Sequence, residues 1–297
     1  LDPETGTAGG LMDGILTEAE AERGRRQLVD DGYAVIPDVM PGDLLEDLRQ
    51  WSDDLFKRLP VDPKFRYQGS DIHVTASRSW PADRQEDAHH FADAIVERII
   101  DQPRQLALCQ SLGLESLRAH DSVILLSKPA FGPPLYWHQD YMNWNSPAAA
   151  TPWPTKIFLS YYLTDTNRTN GCLRVIPGTH RRRIDLHDIL PDAHGAEIQA
   201  LEDFTHPAFL DRTDSIDVPM RAGDLVIGDA RLMHSAWPNQ TEQRRTLILA
   251  WHDVFQFPLP PSWWTGDIPE AVAKADPGAA HKPSRTPISR PVRDPTH

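Results

Sequence analysis

His138 and Asp140 stand two positions apart in the run Tyr136-Trp137-His138-Gln139-Asp140-Tyr141, whose aromatic residues favour an extended backbone. On a strand, that spacing puts both side chains on one face. A neutral imidazole nitrogen and an ionised carboxylate oxygen suit a borderline divalent metal. Two His and one carboxylate on one face of the ion form the arrangement of non-haem Fe(II) oxygen chemistry. With 13 His in the chain, about one such triplet is expected by chance, so its meaning depends on a second His arriving from elsewhere.

Gly223 to His234 reads as a strand ending in that histidine. Neighbouring strands lie about 5 Å apart, so a barrel-like fold can set His234 beside His138 and Asp140. Three positions on the metal would then stay open for a bidentate cosubstrate and dioxygen. A further strand opens with Arg244-Arg245. Alternation sends only one of the two inwards, where a guanidinium can form a bidentate pair with a ligand carboxylate.

The elements that must position these residues are bounded by composition. The chain has 297 residues, 40% hydrophobic and 25% charged, which is ordinary for a soluble domain with a sizeable core. No apolar run reaches membrane-span length. A formal charge of -13 and a pI near 5.4 oppose nonspecific binding to nucleic acid or anionic membranes and leave a small-molecule partner as the expectation. Oligomeric state is not readable. Only Cys109 and Cys172 are present, too few for a disulfide framework, and no secretory leader is seen, so a cytoplasmic location is expected.

Residues 1–14 are Gly-rich and polar and read as a flexible arm. Thr17 with Glu20 is a capping box that opens a helix to about Asp30, stopping near Gly32. Tyr33 to Pro37 reads as a short strand. Pro41-Gly42-Asp43 then leads into a helix with an apolar stripe at Leu44, Leu45, Leu48, Trp51, Leu55 and Leu59. A polar loop follows with Pro60, Pro63 and Pro81, whose Arg66, Tyr67 and His73 are candidates to cover a pocket.

Phe91 to Leu112 carries a third helical pattern, interrupted at Pro103. Runs at 123–127, 156–163, 172–176, 224–228 and 246–251 are short and rich in β-branched and aromatic residues. Helices first and strands after predict a single α+β domain over 15–275, built on a sandwich or barrel. Within it 184–215 reads as an insertion between strands, and 276–297 as a disordered or surface-draped tail.

Three motifs resemble the phytanoyl-CoA dioxygenase family of Fe(II)/2-oxoglutarate-dependent oxygenases, which includes ectoine hydroxylase. They are Trp137-His138-Gln139-Asp140, Asn170 to His180, and Gly223-Asp224 through His234 to Arg245, within a similarity spanning Lys128 to His252. The resemblance implies a double-stranded β-helix (jelly roll, cupin-like) core with N-terminal helices packed on it. It implies iron ligands at His138, Asp140 and His234, and Arg245 holding the distal carboxylate of 2-oxoglutarate. Trp144 resembles an aromatic beside the site in ectoine hydroxylase, and Lys128 lies in the strand before the triplet; both are taken as cofactor-binding.

The implied reaction is hydroxylation of an unactivated C–H bond in a small metabolite or natural product, using dioxygen and releasing succinate and CO2. Several members carry a hydroxyl residue two places after the second His, where this chain has Ala236, with Ser235 as the nearest replacement. Asp140 opposes the halogenating variant, which has a small residue there. Two readings stand beside this one: a cupin-like metal-dependent isomerase or lyase, and a nonenzymatic small-molecule binding module.

The remaining signals are mostly structural. Asn170 to His180 reads as turns around a buried strand, and Arg181-Arg182-Arg183 as a solvated face or an attractor of anions. Trp137, Trp144, Trp153, Trp237 and Trp251 suggest an aromatic-lined pocket that Trp263-Trp264 is placed to close. His252 and Asp253 lack a spacer, so they point to opposite faces and share no metal.

Overall fold

A computed structural model describes residues 16–62, 69–76, 90–92, 94–100, 102–115, 117–119, 122–191, 193, 195–199 and 201–276. The expected arm, Arg66, Tyr67, His194 and the tail beyond Asp276 lie outside the described residues.

In chain order come α1 (Glu18–Asp30), β1 (Tyr33–Ile36), α2 (Gly42–Arg58), β2 (Asp71–Ala76), β3 (His90–Ala92), α3 (Ile95–Ile100), α4 (Pro103–Ser111), β4 (Arg118–Ala119), β5 (Ser122–Lys128) and β6 (Leu135–His138). Then follow β7 (Lys156–Tyr162), β8 (Leu173–Val175), α5 (Leu186–Ile189), α6 (Ala196–Gln199), β9 (Ile216–Val218), β10 (Leu225–Asp229), β11 (His234–Ala236), β12 (Arg245–Asp253) and α7 (Glu270–Ala273). Among the described residues no helix is long and apolar enough to cross a membrane.

The local signals explain the helices. Thr17 and Glu20 form the reciprocal capping box that starts α1. Gly32 ends the segment at φ 86°, where a Cβ would lie 2.5 Å from the His180 ring. The α2 stripe buries Leu44, Leu48, Leu55 and Phe56. Pro103 opens α4 at its first turn, where no N–H is needed, and the interruption expected there separates two helices, α3 and α4. Phe91 belongs to β3, not to a helix.

Eight strands form one sheet in the order β1-β10-β7-β12-β5-β2-β3, with β4 beside β12, and four form a second in the order β6-β11-β8-β9. The pairings are antiparallel except that of β2 with β3. The expected polar loop therefore contains a strand: Ile72 and Val74 alternate at period two in β2. His73 does not cover a pocket. It is buried in that strand and its Nε2 donates to the Leu59 carbonyl at 2.9 Å.

Strand alternation divides the large sheet between two layers. Leu159, Tyr161, Ile227 and Ile248 face the helices and pack with Leu28, Leu44, Leu48 and Leu55. Phe158, Tyr162, Val226 and Leu247 face the small sheet and meet Val175 and Val218. Cover on both faces is why β7 is buried at every position and shows no apolar-polar alternation. Segment 184–215 lies between β8 and β9. Its Leu186, Leu190, Ile198 and Phe209 pack on Tyr136, Trp137, Ile176 and Met233, so the small sheet is covered too.

Candidate metal centre

His138 and His234 are direct cross-strand partners on β6 and β11, with ring centroids 4.2 Å apart. From that pair to the next, Ala236 with Leu135, β11 advances two residues and β6 three. This bulge re-aims the side chains of β6 beside the site. Asp140 lies past the end of β6, so the strand pleat does not align it with His138. Instead its N–H and that of Tyr141 both donate to the Ala230 carbonyl at 3.0 Å. The strand expected to end at His234 also stops early: β10 finishes at Asp229, a turn over 230–233 intervenes, and His234 opens β11. One turn thus delivers His234 and captures Asp140.

Asp140 Oδ1 lies 3.6 Å from His138 Nε2 and 4.0 Å from His234 Nε2. The three residues are 5%, 5% and 8% exposed. One ligating atom from each lies within 4.8 Å of the others, the only such group among the described residues. His138 Nδ1 faces the Tyr136 carbonyl and His234 Nδ1 the Leu232 carbonyl, each at 2.9 Å. A carbonyl only accepts, so both Nδ1 atoms carry the proton and both Nε2 lone pairs turn towards Asp140.

Burial first, and His138 second, push His234 down to about 4, which keeps it neutral. Burial alone would raise Asp140, but His234, His138 and the Trp251 indole outweigh it and hold the carboxyl below its ordinary range. Neutral imidazoles and an ionised carboxylate are the donor set Fe(II) needs.

Gln139, between His138 and Asp140, is a support. Its amide N–H groups donate to the Thr179 and Arg231 carbonyls at 3.2 and 2.5 Å, and His187 Nε2 donates to its Oε1 at 3.0 Å. His187 is capped by the Ile184 N–H and meets Trp144 edge to face, 5.2 Å between centroids. Sequence reading placed no role on Gln139 or His187, whose contact joins the insertion to the triplet.

Burial pushes His187 down to about 4 from an ordinary 6.5. Between those values the unfolded chain takes up a proton that the folded chain refuses. Stability is therefore expected to fall as pH drops through that window, by on the order of 3 kcal/mol, with no further loss from this group below it. His187→Gln, which retains a donor for Gln139, is expected to lose less stability than wild type between about pH 7 and about pH 4.5. Denaturant midpoints measure it; equal losses in the two proteins would reject the assignment.

The turn before His234 is pinned by charge. Arg231 and Asp229 form a buried bidentate pair at 2.9 and 2.6 Å. Arg231 also donates to the Ala148, Thr151 and Trp153 carbonyls at 2.9, 3.1 and 3.0 Å. Its guanidinium is satisfied by protein alone.

Arg245 is the opposite case. It is 3% exposed, and among the described residues its guanidinium makes one hydrogen bond, Nη2 to the Gly171 carbonyl at 2.8 Å. Among the described residues its Nε has no partner and no carboxylate pairs with it. Lys128, its cross-strand neighbour, is 1% exposed and donates to the Pro133 and Trp237 carbonyls at 2.7 and 2.8 Å. Burial, then Arg245 and Arg174, push that amine well below the lysine range. An unpaired buried guanidinium costs several kcal/mol, a deficit that an anionic ligand would remove. Arg244 faces the other way and pairs with Asp71 at 2.6 Å.

A family model for phytanoyl-CoA dioxygenase (PhyH) matches residues 28–247. The chain belongs to the phytanoyl-CoA dioxygenase family. Ectoine dioxygenase of Halomonas elongata is 27% identical over 243 residues, 79% of this chain and 69% of that protein. A probable alpha-ketoglutarate-dependent hypophosphite dioxygenase of Stutzerimonas stutzeri is 26% identical over 247 residues, 79% of each chain. The fold is shared with HygX from Streptomyces hygroscopicus, crystallised with nickel and 2-oxoglutarate, at a TM-score of 0.59 and 18% identity over 82% of this chain and 89% of that one.

Within the family frame, other residues singled out in the sequence fall away from the centre. Ser235 does not stand in for the hydroxyl missing at Ala236: its Oγ receives the Arg174 Nε at 2.9 Å, on the strand face opposite His234. Arg174 is stacked between Trp137 and Trp237, at 4.7 and 3.9 Å from their ring centroids. Trp263 and Trp264 close no pocket here. They pack against Phe255 and Trp153 in the cluster between the helices and the large sheet. Arg181, Arg182 and Arg183 reach the Val29 carbonyl, the Pro177 carbonyl and Asp188. Trp144 keeps a buried indole N–H without a partner among the described residues.

Proposed function

We propose that this chain is an Fe(II)- and 2-oxoglutarate-dependent dioxygenase that hydroxylates an unactivated C–H bond of a small metabolite or natural product. What carries the reading is one juxtaposition: three buried metal-ligand side chains converge, and the same sandwich buries a guanidinium that lacks an anion. An isomerase or a binding module of the same fold has no need of Arg245.

His138 Nε2, His234 Nε2 and Asp140 Oδ1 would hold the iron, with Arg245 binding the distal carboxylate of 2-oxoglutarate. Bound there with dioxygen, the iron supplies the oxidant for C–H hydroxylation while 2-oxoglutarate leaves as succinate and CO2. The protein's part is position and exclusion of water. The Tyr136 and Leu232 carbonyls fix the imidazole tautomers. Phe158 packs on His234 at 5.5 Å, with Gly228 opposite leaving room for that ring. Lys128, beside Arg245 across the sheet, ties the loop before β6 to the loop after β11, and Trp144 stands edge to face on His187, whose ring holds Gln139 of the triplet.

We read the two sheets as the double-stranded β-helix of the family, one domain with 184–215 inserted, acting in the cytoplasm. The test is succinate formation from 2-oxoglutarate with Fe(II) and dioxygen across a panel of small metabolites and natural products. Substrate-dependent succinate that stops without iron or oxygen is expected. A product formed equally well without oxygen would overturn the proposal.

A further inference from the structure

We propose that Trp251 is a positioning residue for the metal carboxylate, holding Asp140 to one coordinating oxygen. The inference rests on the metal reading above. Asp140 Oδ1 faces the two imidazole Nε2 atoms at 3.6 and 4.0 Å. Its other oxygen, Oδ2, receives the Trp251 indole N–H at 3.2 Å. The two oxygens therefore have separate partners: one turns to the metal position and the other to the large sheet.

An indole N–H only donates, so it opposes rotation of Oδ2 towards a cation. A carboxylate free to bind through both oxygens would take a second coordination position. Held to one, it leaves three, the number a bidentate cosubstrate and dioxygen require. The placement follows from strand register. Trp251 is the cross-strand partner of Phe158, the residue packed on His234, so one pair of the large sheet supports His234 on β11 and Asp140 just past β6. Tyr141 meets Trp251 edge to face at 6.1 Å. Along β12, Arg245, Leu247, Leu249 and Trp251 share a face by alternation. A single strand carries the proposed cosubstrate anchor at its start and the support of the metal carboxylate six residues later.

The experiment compares wild type, Trp251→Phe and Trp263→Phe in titrations with Co(II), read by affinity and visible absorption. Trp263 is the control because its indole N–H also donates to an oxygen, the Gly113 carbonyl at 2.9 Å, far from the triad. Trp251→Phe keeps an aromatic ring but loses the donor and part of the indole's volume, a change that Trp263→Phe shares. Its Co(II) affinity is expected to fall about 10-fold or more with altered absorption bands, while Trp263→Phe follows wild type. Wild-type affinity and spectrum in Trp251→Phe, or an equal loss in both variants, would overturn the proposal and leave the metal reading intact. No Co(II) binding by wild type would overturn both. Should Trp251→Phe not fold, the indole N–H resonances of wild type decide: Zn(II) loading must shift that of Trp251 more than that of Trp263, and an equal response refutes the role.

Discussion

His138→Ala is expected to lose Fe(II) affinity by more than about 100-fold and to reduce succinate formation to background, with the fold retained. Loss of an outer-shell partner alone costs about 10–100-fold in affinity or activity, and removal of a ligand from a set of three exceeds that. Retention of the fold follows from what surrounds the ring. Its Nδ1 donates to the Tyr136 carbonyl, and in the metal-free protein its Nε2 stands beside another imidazole and a carboxylate. Alanine removes a polar group from a crowded buried cluster, so thermal unfolding without metal should change little. Metal titration, 2-oxoglutarate turnover and an unfolding curve on the same preparation distinguish this from general damage. Unchanged turnover would remove His138 from the metal site.

That His138, Asp140 and His234 belong together was legible from type and spacing, yet the geometry that unites them was not the one the spacing implied. His138 and Asp140 were expected to share the face of a strand, but the strand ends at His138. Asp140 is placed by the Ala230 carbonyl, 90 positions on. The turn at 230–233 escaped notice because Ala230, Leu232 and Met233 continue the apolar character of β10. Supports were invisible for a different reason: Trp251 meets Asp140 across 111 positions and His187 meets Gln139 across 48, and no local pattern encodes such pairs. Alternation limited the inward arginine to one of two. It could not say which, because the partner that draws Arg244 outwards is Asp71, at the start of β2, inside what read as a loop.

Arg245→Ala is expected to weaken 2-oxoglutarate binding by about 100-fold, the scale of a buried charge-assisted bidentate pair worth about 3 kcal/mol. Metal affinity should stay near wild type, since Arg245 makes no contact with the triad among its hydrogen bonds and ion pairs. Stability supplies a second readout with an unusual sign. The guanidinium is buried with no carboxylate partner among the described residues, and desolvation pulls its pKa down. Alanine removes an uncompensated charge, so the ligand-free variant should be no less stable than wild type and can exceed it. Wild type, in contrast, should gain about 2.7 kcal/mol at 2-oxoglutarate concentrations about 100 times Kd, a gain the variant lacks at the same concentration. Arg245→Lys should recover charge without the planar fork and bind between the two. The paired control is Arg244→Ala, which removes the Asp71 partner: it should destabilise β2 and leave 2-oxoglutarate affinity intact. Were Arg244→Ala to abolish cosubstrate binding while Arg245→Ala did not, the inward guanidinium would be a structural charge, and the case for 2-oxoglutarate at this site would lose its anchor.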